Sequence, residues 1–223
     1  MAKVDQEGNR VRAVLLVNTS LTSIQLHEHL DRLKRLGVTF VSDPIGWMRR
    51  PGEVFGPQRS VPAYEALWCK WALAGKSHSC RVLFHWESDG RNRLIFEVDE
   101  AVFFIGNSLY FNPHEPRFEE VFRCFKSILV EFIVTWRPIL ALIDYEADPL
   151  WNEGPGIFAD VAWGNFYSSE LISAWDPSTL DRLGGTVDDL TMLESTGLLF
   201  FLHPLEVNQA WSSRHQAVHN MLI

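Results

Sequence analysis

Residues 80–99 read CRVLFHWESDGRNRLIFEVD, and this stretch decides the fold of the chain. Two runs rich in apolar side chains, at residues 80–87 and 93–99, are separated by the polar letters SDGRN. Asp89-Gly90 is a strong signal for a tight turn between antiparallel strands. The stretch therefore predicts a β-hairpin, and we expect a third strand at residues 102–111.

The segments on either side of this hairpin have the lengths and spacings of further strands and helices. Short apolar runs that are typical of buried strands lie at residues 11–17, 139–145 and 197–202. Apolar residues at helical spacing predict helices over residues 21–36, 63–74, 117–132, 168–183 and 205–223. The helix at 168–183 is expected to be capped by Ser168 or Ser169 and to break at Pro177. We interpret residues 37–62 and 150–164 as loops, the first as an ordered excursion or a mobile flap.

The order of these elements indicates the fold class. It lacks the regular alternation of strand and helix that a doubly wound parallel sheet requires. We therefore expect an α+β fold, with a mixed, largely antiparallel sheet and helices packed on it. A chain of 223 residues can bury roughly 70% of its unfolded surface, so we expect one globular α+β domain over residues 1–223 without a disulfide or metal staple.

Composition limits the partners and the compartment. The net charge of −8 argues against nucleic acid, because binding to phosphates needs clustered Lys and Arg. No apolar run reaches the about 20 residues that span a bilayer, and the polar N-terminus does not resemble a signal peptide. We expect a cytoplasmic protein that binds no membrane, with Cys69, Cys80 and Cys124 as buried free thiols.

Motifs for cofactors, metals and nucleophiles do not occur in the sequence. There is no GxGxxG, GxxxxGK[ST] or GxSxG motif. His27 and His29 are two residues apart and point away from each other on a helix. His215 and His219 have the spacing of a ligand pair, but a metal site usually needs three or four ligands. We expect no cofactor, no metal site and no catalytic residues.

One pattern of carboxylates bears on function. If the strand at 139–145 continues, Asp144, Glu146 and Asp148 share one face, because side chains alternate along a strand. Three acids so close together repel one another unless a cation relieves them. That cation could be a divalent ion, an internal Arg or Lys, or a basic partner surface. In the alternative interpretation, the strand ends at Asp144 and the acids lie in solvent.

The aromatic residues of the C-terminal half are the other unusual feature. The chain has nine tryptophans, and Trp163, Phe166 and Tyr167 lie within five residues beside Gly164. Buried core is the usual role of tryptophan, but Trp and Tyr are also enriched at binding hot spots. The sequence leaves both roles open for this segment.

Three C-terminal motifs carry a resemblance to a known class of proteins. They are WGNFYSSELI (163–172), VDDL (187–190) and STGLLFFLHPL (195–205). Together they resemble bacterial immunity proteins that neutralise polymorphic or contact-delivered toxins. This sequence departs from the pattern by having Phe166 between Asn165 and Tyr167. The resemblance implies a cytoplasmic protein without catalysis that binds a cognate toxin domain.

The expected function is therefore that of a non-enzymatic immunity protein, whose toxin partner presents a basic surface. In this hypothesis Asp144, Glu146 and Asp148 govern association with the toxin, whereas Trp163 and Tyr167 govern dissociation. The alternative is a small metal-dependent hydrolase or transferase that uses the acidic strand face.

Overall fold

The structure is a computed structural model, and it describes residues 10–18, 21–41, 54–55, 63–73, 75–86, 92–99, 102–103, 116–145, 161–187, 189–202 and 213–222. Its strands are β1 (Arg10–Val17), β2 (Leu21–Thr22), β3 (Val38–Phe40), β4 (Val54–Phe55), β5 (Ala63–Leu73), β6 (Lys76–Trp86), β7 (Asn92–Asp99), β8 (Leu140–Tyr145), β9 (Gly164–Ser168), β10 (Asp189–Leu193) and β11 (Gly197–Phe201). Its helices are α1 (Ser23–Arg35), α2 (Pro116–Trp136), α3 (Ser169–Ile172), α4 (Pro177–Gly184) and α5 (Ser213–Leu222).

Nine of the strands form one sheet in the order β10-β11-β9-β8-β1-β7-β6-β5-β3, and β2 pairs with β4 separately. All the pairings between the described strands are antiparallel. The expected α+β fold, with a largely antiparallel sheet and helices, is confirmed. The organisation as one domain stays a prediction.

The sheet has two faces because side chains alternate along each strand. We call the first the α2 face: Val11, Ala13 and Leu15 of β1 point to it and share a buried cluster with α1 and α2. We call the second the α4 face: Leu16 of β1 points to it and shares a smaller cluster with α4 and α5. Any residue of the sheet can therefore be assigned to a face from its register.

Helix α2 supplies most of the cover of the α2 face. Its buried residues recur every three or four positions, as an amphipathic helix requires, and comprise Val121, Phe122, Phe125, Ile128, Leu129, Phe132, Ile133 and Trp136. The helix continues to Trp136, four residues past the predicted end, because the apolar stripe continues to that residue. Arg137 then has a positive φ of 45° and ends the helix.

The prediction of a helix over residues 63–74 is wrong, because these residues form β5. The prediction rested on Ala63, Leu67 and Trp71, which lie four residues apart. A spacing of four also fits a strand, in which every second residue faces the core. The buried side chains Leu67, Cys69, Trp71 and Leu73 show this period of two.

The other strand predictions are confirmed for β1, β6, β7, β8 and β11, and β6 pairs with β7 as the predicted hairpin requires. The turn at Asp89-Gly90 lies outside the described residues. Within the predicted strand at 102–111, Val102 and Phe103 form a short helical turn, and the rest is not described. Strands β2, β3, β4, β9 and β10 were not predicted.

The helix predictions at 21–36 and 117–132 are confirmed by α1 and α2. The 168–183 segment is two helices, α3 capped by Ser168 and α4 beginning at Pro177, as the expected break at the proline implies. Residues 205–212 of the predicted final helix are not described, and α5 occupies Ser213–Leu222. No helix in the described ranges combines the length and the apolar character that crossing a bilayer needs.

Candidate functional site

A row of polar and aromatic side chains crosses five neighbouring strands on the α4 face. In the register of the sheet, each member lies directly opposite the next one, from β8 through β1, β7 and β6 to β5. We call this set the charged row: Asp144, Arg12, Glu97, Arg81 and Trp68. Directly opposed side chains on one face are close enough to interact, so neighbouring members of the charged row can contact one another.

Glu97 is the centre of the charged row. Its Oε1 lies 2.7 Å from Nε of Arg12, and its Oε2 lies 2.6 Å from both Nε and Nη2 of Arg81. Only 3% of Glu97 is exposed, and Arg81 is also buried. Buried charges are tolerated when they are paired and hydrogen-bonded. Glu97 is therefore paired with both arginines, by a hydrogen bond from Arg81 and by a charge contact with Arg12.

Asp144 lies at the β8 end of the charged row. Its Oδ2 accepts a hydrogen bond from the backbone N–H of Trp163 at 3.2 Å, and Arg12 lies directly opposite it on β1. Of the three cations that the sequence left open, the structure provides an internal arginine beside this acid. Glu146 and Asp148 lie outside the described residues, so the shared acidic face stays a prediction.

Trp68 lies at the β5 end of the charged row, and 47% of it is exposed. Its ring is stacked over the Arg81 guanidinium, whose Cζ is 5.1 Å from the ring centroid. Val41, which is also exposed, donates its backbone N–H to the Trp68 carbonyl at 2.9 Å. We call Val41, Trp68 and Arg81 the Trp68 patch. Two of its three members, Trp68 and Arg81, are of side-chain types that are enriched at binding hot spots.

Sequence reasoning missed the Trp68 patch because it placed Trp68 on a helix. The signal that could have revealed it is the alternation in β5, where Trp68 and Lys70 are exposed between buried neighbours. The pairing of Arg12 and Arg81 with Glu97 depends on strand register. Residues that are far apart in the sequence give no local sign of such a pairing.

Trp163 and Tyr167 lie in the core. Trp163 is 2% exposed, and its ring lies 5.1 Å from that of Phe201 and 6.4 Å from that of Phe125. The ring of Tyr167 is 5.2 Å from that of Trp175 on the other face, and burial raises the pKa of the Tyr167 hydroxyl. Of the two roles that the sequence left open, the structure shows core packing for both. Contact with a partner stays untested.

The WGN motif has a structural reason. A Cβ at Gly164 would collide with the Phe201 ring, so only glycine fits beside it. The fully buried Asn165 side chain accepts a hydrogen bond from Ala162 N–H at 2.9 Å and donates one to the Ala162 carbonyl at 2.7 Å. These contacts lock the entry of β9 into the sheet, because a buried amide needs both of its ends paired.

A second polar cluster joins α1 to α2. Glu131 Oε1 accepts hydrogen bonds from Nε of Arg32 and, at 2.9 Å, from the hydroxyl of Thr135, and it lies 3.4 Å from Nδ1 of His29. Burial acts to raise the pKa of Glu131, but hydrogen bonds from these three residues outweigh it and lower the pKa to about 2. The ring of Phe132 lies 5.0 Å from that of His29, edge to face.

His29 is the buried member of this cluster. Burial lowers its pKa, although the hydrogen bond and charge of Glu131 act in the opposite direction. Its Nε2 is buried and has no hydrogen-bond partner among the residues that the structure describes. A carboxylate that orients one nitrogen of an imidazole is a feature of catalytic histidines. Here the neighbouring side chains include Phe132 and Trp136, whose rings cannot serve as nucleophiles.

The other reactive groups are possible metal ligands and the cysteine thiols. Across the described ranges, no three His, Cys, Asp or Glu side chains come together as a set that could hold a metal ion. Cys69 and Cys80 are buried free thiols directly opposite each other on β5 and β6. A hydrogen bond with Cys80, together with burial, raises the pKa of Cys69. Cys124 is free but only partly buried, contrary to expectation.

Comparison with known proteins gives a likeness in fold. No family model matches the chain, and no curated protein is significantly similar to it in sequence. Among solved structures, the Pseudomonas aeruginosa T6SS protein PA0821 is similar, with a TM-score of 0.55 and 11% sequence identity. The match covers 96% of this chain and 72% of that one. At this identity the likeness shows that the two chains share a fold.

Proposed function

We propose that this chain is a non-enzymatic immunity protein that binds a cognate toxin domain and neutralises it in the cytoplasm. The C-terminal motifs resemble immunity proteins, and the structurally similar protein is named as a T6SS protein. The observation that carries the proposal is the Trp68 patch, an exposed tryptophan held over an arginine that is itself fixed by a buried glutamate.

The Trp68 patch is suited to binding because it is pre-organised. A tryptophan supplies a large apolar area, and its two side-chain torsions cost little entropy when it is immobilised. The Arg81 guanidinium lies against the face of the Trp68 ring and is held by Glu97 through two contacts of 2.6 Å. A surface that is already ordered in the free protein loses less free energy on association.

The charge of the chain indicates the chemistry of the partner. A net charge of −8 favours a toxin domain with a basic surface, and complementary charges mainly accelerate encounter. The proposed complex needs no cofactor, metal ion or nucleic acid. In this proposal the Trp68 patch determines how long the complex lasts, and the net negative charge of the chain determines how fast it forms.

The test uses a toxin domain taken from the genes that neighbour the gene for this chain, where an immunity protein is expected to have its toxin, with binding kinetics and protection of growth as the two measurements. Trp68→Ala should weaken binding by about thirtyfold, corresponding to about 2 kcal/mol for loss of an aromatic anchor. Val134→Ala is the matched control, because Val134 is an exposed apolar residue on α2. It should leave affinity within about twofold, as is usual for residues outside a hot spot.

The outcomes test the immunity function and the role of the Trp68 patch separately. If the wild-type chain neither binds the toxin domain nor protects growth, the immunity function is wrong. If it binds and Trp68→Ala has no effect, the function stands and the Trp68 patch is not the binding surface. Elemental analysis tests the alternative of a metal-dependent hydrolase or transferase, because a stoichiometric metal ion in the purified protein would contradict a non-enzymatic role.

A further inference from the structure

Strand β10 lies at one end of the nine-stranded sheet, where it pairs with β11 on one side and with no described strand on the other. From its geometry we infer that β10 is the site at which the chain accepts an extended strand of its partner. The inference rests on the proposed function only for the identity of that partner.

The direction of the free hydrogen-bonding groups follows from the bonds of β11. The N–H of Leu202 donates to the Trp163 carbonyl at 2.7 Å, and the N–H of Ser169 donates to the Thr196 carbonyl at 2.9 Å. Bonding alternates along an antiparallel strand. The even-numbered residues of β11 therefore bond to β9, and the odd-numbered residues bond to β10.

The register then identifies the backbone groups of β10 that point to the outer edge, where no described strand pairs with them. Asp189, Thr191 and Leu193 lie opposite odd-numbered residues of β11, so their backbone groups are used within the sheet. Leu190 and Met192 lie between them and point their N–H and C=O groups to the outer edge. Two donors and two acceptors are thus aligned to pair with an incoming strand.

The side chains of the same two residues extend an apolar surface to this edge. Leu190 is 39% exposed and Met192 is 52% exposed, on the α4 face. Their neighbours on β11, Phe200 and Leu198, are buried in the cluster shared with α4 and α5. The helices therefore cover the apolar layer as far as β11 and leave its last row on β10 exposed.

The side chains of β10 on the α2 face are anchored to helix α2. Nζ of Lys126 on α2 lies 2.5 Å from Oδ1 of Asp189 and donates to the hydroxyl of Thr191 at 2.7 Å. This contact fixes the strand without using its outer backbone groups. Natural edge strands are often protected by proline, by lysine or other charged side chains, or by a bulge. The sequence DLTML of β10 contains neither proline nor lysine, and its one charged residue, Asp189, is paired with Lys126 on the α2 face.

The charge of the chain indicates whether a second copy or a different protein pairs with the outer edge of β10. If two copies paired antiparallel about Thr191, Asp189 of each copy would lie near Glu194 of the other. Each copy also carries a net charge of −8, which opposes self-association. The favoured occupant is an extended segment of another protein, with apolar side chains at alternate positions and basic residues at its ends.

The probe for this site is a short peptide with valine at alternate positions, threonine between them and a lysine at each end. NMR titration of the isotopically labelled full chain should show the largest amide shifts at Leu190 and Met192. A peptide with glutamate in place of both lysines is the control. It should bind about tenfold more weakly, since the glutamates are repelled by a chain whose net charge is −8.

A pair of substitutions separates backbone pairing from apolar contact. Met192→Ala removes the side chain and keeps the outward N–H, whereas Met192→Pro also removes that N–H and leaves the β11 ladder intact. Met192→Pro should bind the lysine peptide about tenfold more weakly than Met192→Ala, as expected for one lost hydrogen bond with an unsatisfied acceptor. If Met192→Pro does not fold, Leu190→Pro against Leu190→Ala makes the same comparison.

Equal affinities for the proline and alanine variants, or amide shifts elsewhere than on β10, would overturn strand addition. Concentration-dependent dimerisation of the free chain that protects the Leu190 and Met192 amides from exchange would overturn the choice of occupant. The peptide experiment does not involve the toxin. If the chain binds the peptide at β10 but does not bind the toxin, only the proposed function is contradicted. If it binds the toxin but not the peptide, only this inference is contradicted.

Discussion

Glu97 balances the charged row, because it is the acid to which both Arg12 and Arg81 are paired. Replacing it with glutamine keeps the shape and removes the charge, so Arg12 and Arg81 lose the carboxylate that both of them contact. Breaking a buried ion pair in this way typically costs about 3–5 kcal/mol. We predict that Glu97→Gln lowers the free energy of unfolding by about 3 kcal/mol in urea titrations followed by tryptophan fluorescence.

Glu120→Gln is the matched control for this measurement. Glu120 is exposed on α2, so its loss should change the free energy of unfolding by no more than about 0.5 kcal/mol. The same two variants should differ in toxin binding, because Arg81 without Glu97 no longer holds Trp68 in place. Equal stabilities for the two variants would show that the charged row is not a structural unit.

Trp163 tests the distinction between core and interface at a single residue. It packs against Phe103, Phe122, Phe125 and Phe201. We predict that Trp163→Ala destabilises the free chain by about 3–5 kcal/mol, as truncation of a buried aromatic does. Thermal unfolding of the chain without any partner measures this. A variant of unchanged stability that has lost toxin binding would instead restore the interface role.

At the scale of elements, the junction of α1 with α2 should respond to pH. Burial lowers the pKa of His29 below its ordinary 6.5, so below about pH 6.5 the unfolded chain takes up a proton that the folded chain resists. The free energy of unfolding should therefore be constant above that pH and fall as the pH drops below it, by at most about 1.4 kcal/mol per pH unit. The pKa of Glu131 is lowered to about 2, so the contribution of its ionised carboxylate to the free energy of unfolding is lost only at more acidic pH.

Two histidine variants isolate this dependence. His29→Gln should abolish the fall in stability between neutral and mildly acidic pH, whereas His27→Gln should retain it, since His27 is exposed on the same helix. Urea unfolding at several pH values measures both variants. Identical pH profiles for wild type and His29→Gln would show that another group dominates the titration.

The elements also show how far the sequence alone could go. Amphipathic α2 and the apolar runs of β1, β8 and β11 were predictable, because one period fitted each of them. Strand β5 was not, because Leu67 and Trp71 satisfy the periods of helix and strand equally. Strand β9 carries a glycine and a buried asparagine, which resemble loop residues until the Phe201 ring and the Ala162 backbone are placed beside them.

At the scale of the whole molecule, the charged row could not be predicted, because its residues come from segments that are far apart in the sequence. Asp144 was singled out, but its neighbours Arg12 and Trp163 come from distant segments. The charged row exists because β1 is inserted between β8 and β7, which no spacing along the chain reveals. The core roles of Trp163 and Tyr167 follow likewise from β9 lying inside the sheet and not at its edge.

The overall charge leads to the last prediction, which concerns the rate of association with the toxin. Substituting glutamine for the exposed Glu119, Glu120 and Glu170 changes the net charge from −8 to −5, whereas substituting it for the exposed Lys70 and Lys76 changes it to −10. If the acidic field steers a basic partner, the first variant should associate more slowly at low ionic strength and the second faster, each by roughly two- to threefold. In about 1 M salt, where the Debye length is about 3 Å, both should match the wild type. Dissociation rates should not change, because none of these residues belongs to the Trp68 patch. Stopped-flow mixing at the two salt concentrations measures the rates, and two variants that shift in the same direction would rule out steering by net charge.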